Sequence, residues 1–454
     1  MNQYNHKRGF SLGLLLVLLI LIGIALWAYS KLNSPMFEKN PPIIKVISSG
    51  YTNLKSPLKV VLEDDSGIKY YRVVVITKDG VEELYNLTNP SMGKKVVLNI
   101  NLPKTTDKTI KLKIVAADTS KWNFFAGNES SKEVILKVDT ITPEVEIINN
   151  SYAIGKGGSG AVVVKIYDEN LKDKYILVNG KYRFNLTPFV KKGYYVALIA
   201  WPIEEKVFNA EVVAIDVAGN KVIEHIPYYW RSYKYPISKI TITDKFINRV
   251  AKKVLEKLSL DIPNDPIQIF KKLNEKVRKM NEEEIYSLTS KIYEDKVDFF
   301  SINRFGPLPG SAVKAKFGEL RKYYYDNKLI SMAIHKGIDL AKIKRAKVYA
   351  SNYGKVIDNK YIGIYGNTLI VYHKLGLYTL YAHLSTFKVK KGDLVKKGQI
   401  IARTGATGAV FGDHLHFGVY IQGIAVNPIE WMDHRWIKVN IIDVINSSKR
   451  LINK

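Results

Sequence analysis

The first pattern along the chain is an uninterrupted apolar run near the N-terminus. Gly9 to Ser30 carries no charged residue, and its centre, Leu12 to Trp27, is almost wholly Leu, Ile, Val, Gly and Ala. At a rise of about 1.5 Å per residue, about twenty residues span the hydrocarbon core of a bilayer. The sequence therefore predicts one membrane helix, and we place an N-terminal membrane anchor at residues 1–31.

The residues that flank this run indicate its orientation. Lys7 and Arg8 precede it and Lys31 follows it, a slight excess that favours a cytoplasmic N-terminus. A cleaved signal peptide is the alternative, because Ala28-Tyr29-Ser30 is a weak cleavage site. The apolar core is longer than is usual in a signal peptide, and Tyr29 fits an interfacial aromatic belt. We therefore favour an uncleaved single-pass anchor in the cytoplasmic (inner) membrane, with the rest of the chain on the periplasmic or extracytoplasmic side.

The hydrophobic pattern of the next section predicts short β-strands. From Pro41 to Trp230, hydrophobic positions alternate over short segments that turn signals such as Asn179-Gly180 separate, which is typical of half-buried strands. Residues 115–123, beginning Val-Ala-Ala-Asp, recur about a hundred residues later at 213–220 as Val-Ala-Ile-Asp. A β repeat of this length predicts two tandem immunoglobulin-like sandwiches, at residues 40–138 and 139–230. We favour a spacer role for them, and binding of a partner protein or glycan stays open.

The hydrophobic period then becomes helical. Apolar positions from Phe246 to Leu258 recur at helical spacing behind Thr243, a typical N-cap residue. Asp265-Pro266 indicates a second helix, because it combines a cap with proline at the first helical position. We place a helical linker section at residues 231–300. Its apolar faces must be covered, and the sequence leaves open whether they gate a site or only pack beside neighbouring domains.

Residues 301–440 hold the side chains with the strongest chemical signal. Four of the eight histidines lie in three short motifs, His335-x-x-x-Asp339, Tyr381-Ala382-His383 and His414-x-His416. On a strand, residues two apart project to the same face, as the last motif requires. A hydrolytic zinc site needs three nitrogen or oxygen ligands and one open position. This set can supply three ligands and still leave two histidines for proton transfer and oxyanion stabilisation. Residues 441–454 are assigned as a C-terminal tail.

The run from about Phe317 to Trp431, about a quarter of the chain, resembles the M23 (LytM-type, lysostaphin-like) family of zinc metallopeptidases, which cut peptide cross-links in bacterial cell walls. The resemblance implies an antiparallel-β metallopeptidase domain with one zinc ion (Zn2+) per chain. It also implies His335, Asp339 and His416 as zinc ligands, and His383 and His414 as catalytic histidines that orient water and stabilise the oxyanion. The matching segments are Phe317-Gly318, His335 to Ala341, Val348 to Ala350, Gly354 to Val356, Tyr365 to Asn367, Leu380 to Ser385, Val389 to Gly398, Thr404 to Gly408, His414 to Phe417 and Val426 to Pro428.

Two positions depart from the family pattern. Asp413 stands where proline is usual, and Gly418 where glutamate is frequent. Neither is a ligand in that pattern, and all ligands are present, which favours catalysis over the activator role of relatives that have lost ligands. The Tyr323-Tyr324-Tyr325 cluster could place a phenol over the site, but aromatic strand packing is favoured. The remaining histidines are interpreted as structural or solvated: His6, His225, His373 and His434.

Composition narrows the set of partners. The net charge is +27, and the 454 residues include no cysteine. Export separates the chain from nucleic acid, and no nucleic-acid-binding motif occurs. Wall polymer and anionic lipid headgroups are the polyanions outside the cytoplasm, although a solvated lysine-rich surface explains the charge equally well. Without disulfides, stability must come from hydrophobic cores and metal.

Together these features predict a multidomain, mainly β protein that works as a membrane-anchored zinc endopeptidase on the peptide cross-links of peptidoglycan in cell-wall remodelling. The predicted partners are peptidoglycan stem peptides, the membrane and a regulatory protein, with no nucleic acid. The family points to the bond between D-Ala and diaminopimelate. The alternative is a non-hydrolytic scaffold or activator of another cell-wall hydrolase that uses the same groove.

Overall fold

The computed structural model describes residues 12–89 and 92–454. The apolar run forms helix α1 (Leu12–Leu32), and Gly13–Leu32 is long and apolar enough to cross a membrane by length and composition. None of that stretch is buried inside the protein. The predicted N-terminal helix is therefore present, and the described chain is mainly β beyond it, as predicted. Lys7 and Arg8, on which the predicted orientation rests, lie outside the described residues.

Contacts divide the described chain into two compact units. The first extends to Thr142 and includes Asp216–Asn220, and the second comprises Pro143–Ile215 and Lys221–Lys454. The second unit therefore contains the second sandwich, the helical section and the C-terminal β domain. The predicted domain boundaries and the immunoglobulin-like assignment remain predictions.

The first unit contains a sandwich of two sheets. Inward residues such as Leu112 and Ile114 alternate with more exposed lysines, and they share one core with Val60 and Leu62 of the facing sheet. One sheet has the order β1-β3-β6, with strands β1 (Ile43–Ile47), β3 (Leu58–Glu63) and β6 (Lys95–Ile100). The other has the order β2-β8-β7-β4-β5, with strands β2 (Tyr51–Thr52), β4 (Ile68–Thr77), β5 (Gly80–Thr88), β7 (Thr109–Asp118) and β8 (Glu129–Val138).

The second unit begins with another two-sheet sandwich. One sheet has the order β14-β15-β11-β9, with strands β9 (Glu144–Asn150), β11 (Ser159–Tyr167), β14 (Thr187–Pro188) and β15 (Tyr194–Ala200). The other has the order β13-β12-β16-β17, with strands β12 (Leu171–Val178), β13 (Tyr182–Asn185), β16 (Ala210–Asp216) and β17 (Lys221–His225). Two short parallel strands, β10 (Ala153–Gly155) and β18 (Tyr229–Arg231), pair beside it.

The second sandwich shares one hydrophobic core with the C-terminal β domain. Trp431 is fully buried and donates from Nε1 to Oγ of Ser159 at 2.9 Å. The residues assigned as a tail fold back: after helices α6 (Pro428–Met432) and α7 (His434–Ile437) and a π-helical turn Lys438–Ile442, helix α8 (Asp443–Asn453) packs on β9 and β11. Oγ of Ser151 donates to the carbonyl of Asn440 at 2.6 Å at the same contact.

The helical section forms where the caps predict. The Thr243 side chain accepts from the backbone N–H of Phe246, and the Asp265 side chain accepts from that of Gln268. The first helix runs through α2 (Asp244–Phe246), a π-helical turn Ile247–Ala251 and α3 (Lys252–Lys257), and the second through α4 (Pro266–Lys271), a π-helical turn Lys272–Val277 and α5 (Arg278–Thr289). Ahead of them, β19 (Ile237–Thr241) pairs in parallel with β21 (Leu320–Tyr325), which pairs with β22 (Lys328–Ile334).

The C-terminal domain is built on one large antiparallel sheet. Its order is β20-β23-β31-β27-β26-β25-β29, with strands β20 (Ala312–Ala315), β23 (Ile338–Ala341), β25 (Gly354–Ile362), β26 (Gly366–Tyr372), β27 (Leu377–Ala382), β29 (Leu394–Val395) and β31 (Leu415–Ile421); β32 (Ile424–Val426) pairs with β31. A small sheet of β24 (Lys347–Tyr349), β30 (Ile400–Arg403) and β28 (Thr386–Phe387) lies in the same domain. Each of the three histidine motifs extends into one of β23, β27 and β31, which are adjacent in the large sheet, while His335, His383 and His414 lie just outside these strands.

Candidate metal centre

Strand register brings the predicted metal ligands together. Asp339 of β23 lies opposite His416 of β31, and Ala382, which precedes His383, also lies opposite His416 from the other side. His335 precedes β23 and is buried beside them. Gly337 makes this possible, because a Cβ there would lie 2.5 Å from Nε2 of His416. The five predicted site residues therefore meet at one end of three neighbouring strands.

Three ligand atoms converge within this cluster. Nε2 of His335 lies 3.1 Å from Oδ1 of Asp339 and 3.0 Å from Nδ1 of His416, which is itself 2.9 Å from that carboxylate oxygen. Nδ1 of His335 donates to the carbonyl of Lys316 at 2.9 Å, so that Nε2 carries a lone pair. Burial lowers the pKa of His416 to about 4, although Asp339 opposes this, and the ring is therefore neutral near pH 7.

These atoms fit a zinc ion. Ligands about 2.0–2.1 Å from a tetrahedral metal lie about 3.3 Å from each other, close to the separations seen here. Two neutral imidazole nitrogens and one carboxylate oxygen are donors that zinc prefers. Burial by itself would raise the pKa of Asp339, but His335 and His416 hold it well below its ordinary value, so the carboxylate is ionised. Glu38, Asp64 and Asp118 form another group close enough to hold a cation, but it contains no nitrogen ligand.

The two remaining site histidines present the same nitrogen. Nδ1 of His383 donates to the carbonyl of Thr407 at 2.9 Å, and Nδ1 of His414 donates to that of Gly412 at 2.8 Å. Nε2 of His414 lies 3.9 Å from Oδ1 of Asp339, and the rings of His383 and His414 are 4.8 Å apart. Burial, and then the neighbouring His414, lowers the pKa of His383 to about 3. Each ring therefore carries its proton away from the cluster and offers Nε2 as an acceptor.

The backbone at His383 is held in an unusual conformation. Its φ of 60° lies in the left-handed region, which residues other than glycine rarely adopt. Its N–H donates to the carbonyl of Tyr365 at 2.9 Å, and Gly405 passes so close that a Cβ there would lie 2.8 Å from the carbonyl oxygen of His383. Non-glycine residues in this region concentrate at functional sites, where the surrounding contacts maintain the strain.

Arg321 holds the second oxygen of Asp339, a role that the sequence did not reveal. Its Nη2 lies 3.0 Å from Oδ2 of Asp339, and its Nε lies 3.0 Å from a carboxylate oxygen of Glu319. Glu319 in turn accepts from Ser238 on β19. Partners of this kind fix the orientation of a metal ligand. A single arginine before the first histidine gave no periodic or motif signal by which to find it.

A small cavity opens beside the cluster and is lined by a second arginine. It has a volume of about 90 Å³, and Arg278 of α5 lines it together with the five site residues, Arg321 and Tyr365. Arg278 donates to the side-chain oxygen of Asn274 from Nε at 3.2 Å and from Nη2 at 2.7 Å. Across the described ranges it forms no ion pair, and its Nη1 has no hydrogen-bond acceptor. The cavity is therefore lined by one guanidinium that has no ion pair with any described residue.

Lys336, next to the first histidine, joins three segments of the second unit. Its Nζ lies 2.8 Å from a carboxylate oxygen of Glu282 on α5 and 2.9 Å from one of Glu204 in the second sandwich. Burial opposes the charge, but Glu282 and Glu204 raise the pKa of Lys336 above its ordinary value. The segment that carries His335 is thus tied to elements outside the C-terminal domain.

The helical section also contacts the loop that precedes His414. The rings of Phe246 and Phe411 are 5.2 Å apart and nearly perpendicular. Both line a second cavity of about 320 Å³, which shares Arg278, Arg321 and Tyr323 with the cavity beside the cluster. The helices therefore form one wall of the groove that leads to the candidate metal centre.

The other histidines and the tyrosine considered as site candidates lie away from the cluster or have packing roles. His373 is buried, with Nδ1 2.8 Å from the carbonyl of Tyr353 and Nε2 2.8 Å from Oγ1 of Thr379, which agrees with a structural role. Tyr323 lines the cavity, but its ring packs 5.0 Å from that of Phe270. His225 and His434 are exposed, and His6 lies outside the described residues.

The geometry of the site first indicates a class of protein. A mainly β domain with two histidines and one carboxylate around an open position is typical of zinc-dependent hydrolases. Residues 333–428 match the sequence profile of peptidase family M23. The C-terminal part of the chain therefore contains an M23 peptidase domain, as the motifs predict.

Individual relatives match over about a quarter of the chain. Peptidoglycan DD-endopeptidase ShyB of Vibrio cholerae is 37% identical over 118 residues, which cover 26% of this chain and 27% of that protein. DD-carboxypeptidase/endopeptidase Mpg of Neisseria meningitidis is 37% identical over 123 residues, covering 27% of each chain. The chain thus spans about a quarter of the length of these relatives. Among solved structures, the catalytic domain of lysostaphin from Staphylococcus simulans is 27% identical, with a TM-score of 0.23 and coverage of 27% of this chain and 92% of that one.

Proposed function

We propose that this chain is a membrane-anchored zinc endopeptidase that hydrolyses peptide cross-links of peptidoglycan. One zinc ion per chain would be held by His335, Asp339 and His416. The observation that carries the proposal is the convergence of these three ligand atoms, 2.9–3.1 Å apart, beside two further histidines that offer free Nε2 atoms. A non-hydrolytic scaffold would need neither the complete ligand set nor the second histidine pair, so hydrolysis is the better supported function.

The two histidines divide the proton work. When bound, zinc lowers the pKa of a water molecule and polarises a carbonyl oxygen. Because His383 and His414 carry their protons on Nδ1, each Nε2 can accept a proton from the attacking water. Because both Nε2 atoms are free to accept, one ring can orient the water while the other carries the proton. The protonated ring can then stabilise the oxyanion and later protonate the leaving amine.

The substrate class follows from charge and from the relatives. Both relatives named above are called endopeptidases, and one is named for peptidoglycan. In a cross-link between D-Ala and diaminopimelate, a carboxylate is bonded to the carbon next to the scissile nitrogen. Arg278, which lacks an ion-pair partner within the described chain, is placed to receive such a carboxylate. Stem peptides are therefore the proposed substrates.

The proposed location is the cytoplasmic membrane. Helix α1 would anchor the chain by a single pass with the N-terminus inside, and the peptidase would face the wall. A regulatory protein partner stays a prediction, and the groove wall formed by the helical section is where such a partner would act.

The test is digestion of purified sacculi by the full chain, with mass analysis of the released muropeptides. We expect cross-linked dimers to become monomers, and we expect a chelator to stop the reaction and zinc to restore it. His416→Ala should lose both zinc and activity, because two ligands rarely hold zinc at a hydrolytic site. Full zinc occupancy in His416→Ala would contradict the ligand assignment, and a zinc-loaded wild type without hydrolysis would favour the scaffold.

Arg278 can be tested with a matched pair of substrates. A cross-linked dimer with the free carboxylate beside the scissile bond should be cut faster than the same dimer with a carboxamide there. Arg278→Met should abolish this preference, whereas Lys279→Met, on the exposed face of the same helix, should retain it. Equal rates on both dimers with the wild type would remove Arg278 from substrate recognition.

A further inference from the structure

An aromatic loop projects from the first sandwich between β7 and β8. We define it as Lys121–Gly127; within it, Phe124 is 97% exposed, Phe125 is 72% exposed and Trp122 is 38% exposed. Asn123, Phe124 and Phe125 have φ angles of 54°, 55° and 70°, a left-handed run that residues other than glycine rarely adopt. Exposed aromatic rings on strained backbone are characteristic of a contact surface.

The loop is folded so that its rings face outward. The N–H of Phe125 donates to the carbonyl of Lys121 at 3.2 Å, and that of Gly127 donates to the carbonyl of Trp122 at 3.1 Å. No aromatic ring in the described chain stacks on Phe124 or Phe125. These internal hydrogen bonds fix the loop without covering its apolar surface.

Chain connectivity holds this loop near the end of the membrane helix. The N–H of Lys121 donates to the carbonyl of Met36 at 2.7 Å, and Oγ of Ser120 donates to that of Glu38 at 2.8 Å. Helix α1 ends at Leu32, and the chain of four residues from there to Met36 spans at most about 14 Å. If α1 spans a bilayer, this tether keeps the aromatic loop within reach of the headgroup layer on the side where the helix emerges.

The surroundings of the loop carry positive charge. Nζ of Lys39 lies 4.4 Å from the centre of the Trp122 ring, and Lys69 donates to the carbonyl of Ala126. Lys121 itself is exposed. Aromatic rings bordered by lysines match the border between acyl chains and anionic headgroups.

We propose that the aromatic loop is a second membrane contact, with Phe124 and Phe125 inserted at the interface of an anionic bilayer. The proposal rests on the proposed insertion of α1, and it adds that the first sandwich is held on the bilayer surface instead of turning freely on a tether. Glycan stacking on the same rings would be a different function and is an outcome of the test.

The absence of cysteine from the chain permits a clean labelling experiment. Ala126→Cys, Val81→Cys and Leu21→Cys are each labelled with an environment-sensitive fluorophore in the full chain, reconstituted in vesicles of phosphatidylethanolamine and phosphatidylglycerol. Lipids with a nitroxide near the headgroup or deep in the acyl chain then report depth. Val81 is a matched control, because it is 70% exposed and pairs with Ile76, at the end of β4 away from the loop.

We expect the label at position 126 to be quenched by the shallow nitroxide several times more strongly than the label at position 81. Phe124→Ser with Phe125→Ser should reduce this quenching to the level of position 81. Equal quenching at 126 and 81, with position 21 quenched by the deep nitroxide, overturns the proposal and leaves the anchor intact. Absence of deep quenching at position 21 overturns anchor and loop together. A spectral change at 126 that appears only on adding sacculi assigns the rings to glycan and overturns the membrane contact.

Discussion

At the candidate metal centre, the hydrogen bonds of each imidazole ring determine which nitrogen the ring can offer. His335 offers Nε2 because the carbonyl of Lys316 binds its Nδ1, and His383 offers Nε2 because that of Thr407 does the same. His416 reverses the pattern, since its Nδ1 faces Asp339 while its Nε2 has no partner in the described chain. Backbone carbonyls thus select the nitrogen that His335 and His383 offer, whereas the carboxylate of Asp339 orients His416.

The first prediction at this scale separates metal binding from proton transfer. His383→Ala and His414→Ala should each remain folded and keep zinc, but lose about a hundredfold or more in the rate of sacculus digestion, as is usual for a lost base or oxyanion donor. Zinc content by atomic spectroscopy and the digestion rate check this on the same preparations. If either variant lost zinc as completely as His416→Ala, the assigned roles would be reversed.

A second prediction concerns Arg321, which acts through Asp339. Arg321→Met should weaken zinc binding by about 10–100-fold, because the carboxylate loses the partner that fixes its orientation. Arg183→Met is the matched control: Arg183 binds Asp173 through two nitrogens at 2.8 and 3.0 Å, but on the exposed surface of the second sandwich. Competition with a chromophoric chelator measures the affinity, and equal affinities for the two variants would contradict the prediction.

At the scale of elements, the helical section decides how open the groove is. Phe246 of α2 contacts Phe411, which lies three residues before His414. The sequence indicated amphipathic helices and left their partner undecided between packing and gating. The observed contact with the loop before His414 makes gating testable.

We expect Phe411→Ala to raise kcat/KM on sacculi by up to about tenfold, since an aromatic pair contributes about 0.5–1.5 kcal/mol to the closed arrangement. Phe411 is 57% exposed, so its truncation should cost little stability. Phe299→Ala, at a similarly exposed ring, serves as the control. An unchanged rate for Phe411→Ala would assign the helices to packing alone.

A further element-scale prediction concerns Glu430, which joins α6 to β11. The backbone N–H of Ser159 donates to its carboxylate at 3.1 Å, and burial raises its pKa to about 8. Its unfolded pKa is about 4.3, so between about pH 4.3 and 8 the folded state binds more protons than the unfolded state, and stability falls as pH rises. Glu430→Gln should remove this decrease in the free energy of unfolding with rising pH.

The measurement is Tm at about pH 5 and about pH 8. The Tm of Glu430→Gln relative to wild type should increase from the lower to the higher pH. Glu224→Gln, at an exposed position on β17, should show no such change. A constant difference between Glu430→Gln and wild type at both pH values would show that Glu430 does not titrate in this window.

At the scale of the whole molecule, the second unit should unfold as one body, because one hydrophobic core joins its sandwich to the C-terminal domain. A fragment that begins at Pro143 should be soluble and melt in one cooperative transition. A fragment that begins at Ser301 should aggregate, because it lacks the partners of Trp431 and the α8 face. Calorimetry of both fragments checks this, and a stable, active fragment from Ser301 would contradict it.

The sequence predicts those features whose pattern lies within a few neighbouring residues. The five site residues fall in three short motifs, and the Thr243 and Asp265 caps act over three residues, so each was visible in the sequence. The ion pairs of Lys336 join residues 54 and 132 positions away, and no local pattern encodes such pairs. The same holds for α8. The sequence predicts only a tail there, because the surface that covers this amphipathic helix lies in the second sandwich, far away in the sequence.

The core shared by the second sandwich and the peptidase also bears on how such proteins are assembled in evolution. A peptidase domain that contacts only solvent on its outer surface can be moved between chains by recombination, because its fold does not depend on a neighbouring domain. Here part of the peptidase surface is covered by the preceding sandwich, through the hydrogen bonds of Trp431 with Oγ of Ser159 and of Glu430 with the backbone N–H of Ser159. The sandwich and the peptidase should therefore be inherited as a pair, and recombination events should fall nearer Thr142 than residue 300.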